Sequence, residues 1–473
     1  MSPLAALGLL LQVIALAVLW AKLGSTWYRH FGAIFIVMTV LYHGVSEVLI
    51  ALFPDQNPYR PLFMQKYLTQ FVLLVSVAIL IFTVAYVCAV GPRPKRLVPP
   101  DDVGANLTKT IFDYRILLIV TVPLLLVTLN GQGYGPNGAI NPGAGVGTIL
   151  GLTQQFFILG VVLSGFAFLM RFGQRWMFSV LMIQSIILSI VGQRFVVLTG
   201  ALMLLFALRR FSIKISRRHI AFASISMILL VWAITAARGV EGRYEYNSGA
   251  SVRLTFLTVG LTHLFSSTTS NEIAYTLSYR LDGNSYGGMS LQALENGSTP
   301  VGVRPLINDV LLAIPSFLNP HKDQTNAEDR SEKLYVEENL PIPELQTSPG
   351  IYMDILPTQL GGLIGILGPL GMLCAALALG LGFAVLDRQL RYGLGPGRIL
   401  ISLGMLYCVL DYEGTWDTYT ITARGILLIL AMVLPLLAIR GLVRRGNQRP
   451  SPATWLVRVR YQQRASAGRE DLW

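Results

Sequence analysis

Residues 68–90 read LTQFVLLVSVAILIFTVAYVCAV, a run that no charged residue interrupts. An α-helix of this length rises, at about 1.5 Å per residue, through the hydrocarbon thickness of a bilayer. The chain repeats the pattern on both sides of this run. Comparable apolar blocks fall near 3–21, 31–53, 114–130, 148–170, 176–192, 195–208, 219–237, 358–386, 397–412 and 420–440. The pattern predicts an all-α polytopic integral membrane protein with about eleven, at most about twelve, transmembrane helices. The block at 195–208 is short and is bracketed by Arg194 and by Arg209 and Arg210. The first block has no charge before it and no small-residue cleavage signature after it, so it is expected to be a retained helix.

The composition of the 473 residues agrees. Hydrophobic residues make up 53% and charged residues only 13%, against about 25% charged in a typical soluble domain. Mean hydropathy is +0.57. Soluble domains of this total length would need more polar surface. Most of the 37 Lys and Arg fall into alternate short inter-block segments and the tail after residue 440. Short cytoplasmic loops carry such an excess, which predicts an N-terminus outside and a C-terminus inside. The net charge of +12 then reflects this bias and anionic headgroups, with no nucleic-acid partner implied. Cys88, Cys374 and Cys408 all lie in apolar blocks, so neither a disulfide nor a cysteine metal site is expected. Arg-rich inner loops without a eukaryotic targeting signal suit a bacterial inner membrane.

The organisation that follows is eight spans in 1–237, a large outer loop over 238–357, three spans in 358–440 and a basic cytoplasmic tail over 441–473. Long loops of this kind are usually functional or disordered. Within it, 251–267, 271–281 and 305–318 read as amphipathic helices, expected to lie on or dip into the outer membrane face and cap a cavity between spans. The stretch 320–349 is charged and proline-rich.

Candidate chemistry collects on the same face. Arg194 occupies a tight outer turn, Gly192-Gln193-Arg194, where topology requires no cation. Arg238 and Arg243 open the loop, Arg253 and Arg280 sit on its amphipathic stretches, and Arg424 lies about one turn into the last span. Guanidinium groups stay charged and bind phosphate oxygens bidentately, so arginines converging on one membrane face suit a phosphate or diphosphate. Asp354, just before the ninth span in PGIYMDILPTQLGG (349–362), could act as a general base or simply cap the span. His263 is a further candidate for the base, and Glu241, Asp282 and Asp309 are weaker ones. His43 lies mid-span and is expected to be buried. No P-loop, HExxH, GxSxG or Cys/His metal spacing occurs.

An Arg in a short outer turn, one large late loop and a Gly-rich span (Gly361-Gly-Leu-Ile-Gly365) directly after it make a pattern that resembles the Wzy-type polysaccharide polymerases and the related O-antigen ligases. Further local matches are the loop start at Arg238 and the stretch from Pro315 to Lys322. The ligase branch places a His shortly before the Gly-rich span, where this chain has Tyr352-Met-Asp354. The resemblance implies metal-independent glycosyl transfer outside the membrane, without cofactor or nucleotide sugar. Donor and acceptor would be undecaprenyl-diphosphate-linked oligosaccharides, and a chain-length regulator and a flippase would be partners. The six arginines would hold the diphosphate and Asp354, His263 or Glu241 would take the acceptor proton. Two other readings are a GT-C type transferase using a polyprenyl-phosphate sugar, for which Glu47 and Asp55 would be the acidic residues of the first outer loop, and a transporter or flippase of lipid-linked glycan.

Overall fold

A computed structural model describes residues 2–53, 65–91, 281–314, 357–390 and 396–413, with isolated positions between 202 and 232, at 278 and between 416 and 427. The chain divides into two compact units, Met1–Ile426 and Leu427–Trp473; every element named below belongs to the first. The described residues are helical and contain no strand. Their helices are α1 (Pro3–Leu23), α2 (Phe31–Val40), α3 (Ser46–Leu52), α4 (Gln65–Ala89), α5 (Asn284–Glu295), α6 (Arg304–Ala313), α7 (Leu363–Leu390) and α8 (Pro396–Leu410). A 3-10 turn, Gly24–Arg29, extends α1, and a π-helical segment, Leu41–Val45, joins α2 to α3. Four stretches are long and apolar enough to cross a membrane: Pro3–Arg29, Phe31–Leu52, Gln65–Ala89 and Leu363–Leu390. Four of the apolar blocks read from the sequence thus become long helices, and α8 covers a fifth. The blocks between 114 and 192 lie outside the described residues.

The distribution of side chains around α1 is the reverse of that in a water-soluble helix. Ser2 caps it, its Oγ accepting from the Ala5 N–H at 3.2 Å, and Pro3 stands at the start, where no N–H is needed. The buried stripe is Ala5, Gly8, Gln12, Ala15, Leu19 and Leu23 at three- and four-residue spacing, small residues in its first half except Gln12. Leu4, Leu7, Leu10, Ile14 and Trp20 point outward. Small residues let helix backbones approach, and an apolar exterior belongs against lipid tails. Gly8 accordingly packs on Val72 and Ser76 of α4, and Gln12 donates from Nε2 to Ser76 Oγ at 2.9 Å.

α4 is the central post, with α1, α5 and α7 against it. A Cβ at Gly380 of α7 would lie 2.6 Å from the Phe82 carbonyl, so only glycine permits this approach. Phe35, Phe82 and Phe383 meet beside it with ring centroids 5.0 to 5.7 Å apart. Asp387, buried near the end of α7, accepts from the N–H groups of Phe31 and Gly32 at 3.0 and 3.1 Å and from Tyr86 Oη at 2.8 Å. One carboxyl group thus caps α2 and ties three helices together.

α7 begins at Leu363, later than the sequence block that starts at 358, because 357–362 form a turn. Its helix breaks at Gly368 (φ +73°), just before Pro369. Pro369 has no N–H for the Gly365 carbonyl. Val301 N–H supplies one at 3.1 Å, and Gly302 N–H reaches the Ile366 carbonyl at 2.8 Å. The segment before α6 therefore completes the backbone pairing of a span, as burial in an apolar medium requires.

The segment between the spans holds two described helices. α5 was not foreseen; its Gly287 and Gly288 argue against a helix by propensity. They are tolerated because Phe71 and Leu68 of α4 press directly on them. Every residue from Asn284 to Ala293 is buried, although many are polar. α6 matches the expected 305–318 element but stops at Ala313. Ile314 is extended (ψ 129°), the conformation favoured before a proline such as Pro315. The expected helices at 251–267 and most of 271–281 lie outside the described residues. Cys88, Cys374 and Cys408 are free thiols.

Candidate functional site

The nine residues singled out from sequence as site candidates (Asp354, His263, Glu241, Arg194, Arg238, Arg243, Arg253, Arg280 and Arg424) lie outside the described residues. What the described residues bring together is a polar knot where four segments meet: the π-helical segment, the start of α5, the turn 357–362 and the end of α8.

His43 stands at its centre. It is fully buried, as its mid-span position implied. A π-turn widens the helix by one residue and often marks a special site; here Ser46 Oγ, at the start of α3, bonds back to the Tyr42 carbonyl at 2.6 Å. His43 Nδ1 lies 2.8 Å from Asn284 Oδ1. Asn284 Nδ2 donates to the His43 carbonyl at 3.0 Å and to Glu47 Oε1 at 2.8 Å, which fixes the orientation of the amide. Oδ1 is an acceptor only, so Nδ1 of His43 is the donor. In the neutral ring Nε2 then accepts, with Tyr412 Oη at 3.1 Å and Thr358 Oγ1 at 3.4 Å. Both ring nitrogens are occupied by protein groups. The imidazole joins segments and offers no open position to a reacting proton.

The local chemistry of each contributing segment explains how it reaches this point. Asp282 caps α5 from one residue before the usual position: Oδ1 accepts from the N–H groups of Asn284 and Ser285, both at 3.1 Å, and Oδ2 from Ser285 Oγ at 2.6 Å. Asp282, a weaker candidate for the base, is thereby a structural cap. Gly283 donates its N–H to the Tyr42 carbonyl at 3.1 Å. A side chain here would meet Thr358 Cγ2 at 2.9 Å and His43 Cε1 at 3.0 Å, so glycine is required by space. Thr358 takes φ +54°, in the region L residues rarely adopt. Its hydroxyl accepts from Gly361 N–H at 3.1 Å and its carbonyl from Gly362 N–H at 2.9 Å, which holds the turn closed.

Gln359 is the second centre. It is fully buried, and each of its polar groups is engaged. Its N–H donates to the Tyr412 carbonyl at 3.2 Å. Nε2 donates to the carbonyls of Cys408 at 2.6 Å and Asp411 at 3.0 Å, two acceptors left open at the end of α8. Its carbonyl accepts from Trp416 Nε1 at 2.8 Å, and Oε1 from Tyr419 Oη at 2.9 Å. Trp416 and Tyr419 stack with centroids 5.0 Å apart and 22° between planes. Tyr42 Oη donates to Glu413 Oε1 at 2.9 Å, while its ring lies 5.3 Å from that of Tyr412.

Asn284, Thr358, Gln359, Tyr412 and Trp416 were not singled out from sequence. The sequence Asp282-Gly-Asn284 carries a turn and cap signal, and Gln359 is a lone amide at the mouth of an apolar block. Neither signal names its partners, His43 lying 241 residues from Asn284 and Cys408 lying 49 residues from Gln359. Compared with family models, with curated proteins and with solved structures, the chain matches none.

Proposed function

We propose that the chain polymerises undecaprenyl-diphosphate-linked oligosaccharide repeat units into a surface or secreted polysaccharide, as the resemblance to Wzy-type polymerases implies, in a bacterial inner membrane. The observation that supports this reading most is the way the segment before the Gly-rich span is built into the helical bundle. α5 is buried against α4 and α7, and the turn 357–362 is bonded to the end of α8. A segment anchored in this way can hold polar groups at a fixed place beside lipid-facing helices, which a reaction between two lipid-linked substrates requires.

In this reading the acceptor hydroxyl attacks the anomeric carbon of the donor glycan. The glycosyl–oxygen bond breaks, and undecaprenyl diphosphate leaves. Arg194, Arg238, Arg243, Arg253, Arg280 and Arg424 hold the diphosphate and offset its charge. Asp354, His263 or Glu241 takes the proton. The apolar surfaces between spans receive the prenyl tails. Partners are the lipid-linked oligosaccharides themselves, with a flippase and a chain-length regulator.

The test is a deletion strain compared with its parent. Loss of long chains, with single lipid-linked repeat units accumulating outside, is the expected result. Single units trapped on the inner face would instead indicate a flippase, and units lacking one sugar a GT-C transferase. Complementation by a chain carrying both Arg194→Ala and Arg238→Ala should fail; full polymer length from that chain would remove the diphosphate roles.

A further inference from the structure

The hydropathy pattern puts the whole of 238–357 in one loop outside the membrane, yet contacts fix part of it at a level inside the bundle. Asn284, at the start of α5, bonds to the ring and the carbonyl of His43. His43 lies about 13 Å short of the end of α3, at the rise of an α-helix. Val45, Val48 and Leu52 point outward over the same interval, so an apolar exterior surrounds the level of His43 and continues beyond it. At the other end of α5, Glu295 pairs with Lys66 at the start of α4, and both are open to solvent. Charge is costly among acyl chains, so this pair marks the level of headgroups and water. α5 has 12 residues, about 18 Å of axis, and bridges the two levels. Asp282 and Gly283 before it are buried in protein, the condition under which non-helical backbone exists at membrane depth.

The chain then turns into α6. Val301 and Gly302 are bonded to the Gly365 and Ile366 carbonyls, and Pro300 lies against Gly368, so α6 starts beside the break in α7. One side of α6 faces the protein: Pro305 and Asn308 are buried, and Leu306 packs on the cluster of Leu68, Tyr286, Met289 and Ile366. The other side carries Val303, Ile307 and Val310, exposed by 54%, 53% and 60%. Their four- and three-residue spacing makes one helical stripe, and an exposed apolar stripe marks an interaction surface. α7 indicates what covers it. Leu370, 79% exposed, heads the outward stripe of Leu377, Leu381 and Val385 on that span. The α6 stripe thus begins where a lipid-facing surface ends, and acyl chains cover both.

We infer that residues 282–313 form a re-entrant hairpin in the membrane. α5 rises from the level of His43 to the headgroups, and α6 lies along the boundary with Val303, Ile307 and Val310 in the acyl chains of that leaflet. This placement is independent of the polymerase reading.

The test uses the full chain in lipid nanodiscs, with Cys88→Ala and Cys374→Ala removing the exposed native thiols while the buried Cys408 stays. Single nitroxide labels are attached through Val45→Cys, Leu377→Cys, Ile307→Cys, Val310→Cys and Glu295→Cys. Molecular oxygen concentrates among acyl chains and a nickel chelate stays in water, so the ratio of their relaxation effects reports depth. Val45 and Leu377 should favour oxygen most, Ile307 and Val310 less strongly, and Glu295 should favour nickel. Nickel relaxation at Val45 would put the level of His43 in water and overturn the re-entry of α5. Nickel relaxation at Ile307 and Val310 would overturn the placement of α6. Protection of those two from both reagents would overturn it as well, since a second copy or another segment of the chain would then cover the face. The unaltered chain gives an independent reading: a carbene generated on a diazirine-bearing acyl chain should insert into the peptide that holds Val303, Ile307 and Val310, and no adduct there would overturn the lipid contact.

Discussion

The interface of α1 with α4 and the knot around His43 use opposite means to hold helices together. α1 and α4 meet at Gly8, packed against Val72 and Ser76, with hydrogen bonds from Gln12 to Ser76 and from the capping Ser2 to Thr69. Large apolar side chains are turned outward. The knot holds its segments through directional bonds among His43, Asn284, Glu47, Thr358 and Tyr412. Close packing between helices tolerates exchange among similar small residues, because it depends on shape. A hydrogen-bonded knot does not, because each donor needs its own acceptor. The first kind of contact assembles a bundle; the second fixes one arrangement of it.

The largest effect should come from breaking the knot at one atom group. Asn284→Leu removes three hydrogen bonds and leaves polar groups of His43 and Glu47 buried. A loss of about 3 kcal/mol is expected, read from denaturant unfolding in detergent micelles. A loss well below 1 kcal/mol would show that the knot is no stronger than the packed interface. Next comes Gly287→Ala, whose new methyl group falls within the Phe71 ring. The expected cost is about 2 kcal/mol, and Phe71→Leu should restore much of it in the double variant. Failure of that rescue would mean that α5 and α4 are not held by shape.

Asp387→Asn should cost less, about 1 kcal/mol, since one oxygen remains to accept from the α2 N-terminus. Tyr86→Phe in the same background should then add little if the two act as one unit, which a double-variant cycle measures. Smallest of all is Lys66→Ala. Its ion pair with Glu295 (3.1 Å) is open to solvent, and no measurable change in unfolding is expected. A clear destabilisation there would mean that the end of α5 is held by charge and not by packing.

This contrast also explains what could be read from the sequence. Hydropathy is a local property, so the runs that became α1, α2–α3, α4 and α7 were visible, as was the apolar run of α8. The start of α7 was misplaced because Thr358 and Gln359 look like the polar edge of a span, whereas their bonds to His43 and Tyr412 make them part of a turn. α5 was missed because Gly287 and Gly288 lower helix propensity, and the side chains of α4 that make glycine useful there are distant in sequence. His43 was read as buried from its position alone. Its partners Asn284 and Tyr412 lie 241 and 369 residues away, and no periodicity encodes such a pairing. The arginines and Asp354, His263 and Glu241, by contrast, were chosen from residue chemistry and stand as proposals.

The break at Gly368 has a consequence for how the molecule is made. The helix ending at Leu367 depends on the N–H groups of Val301 and Gly302 for two of its carbonyls. Left alone in lipid it would carry two bare acceptors, each costing several kcal/mol. The span therefore cannot reach its final form by partitioning from the translocon as an independent unit. Synthesis delivers residues 301 and 302 first, so the segment that completes the helix precedes it in the chain. Membrane insertion of this span and docking of the preceding segment become one kinetic event, and a delay in either leaves a substrate for membrane quality-control proteases.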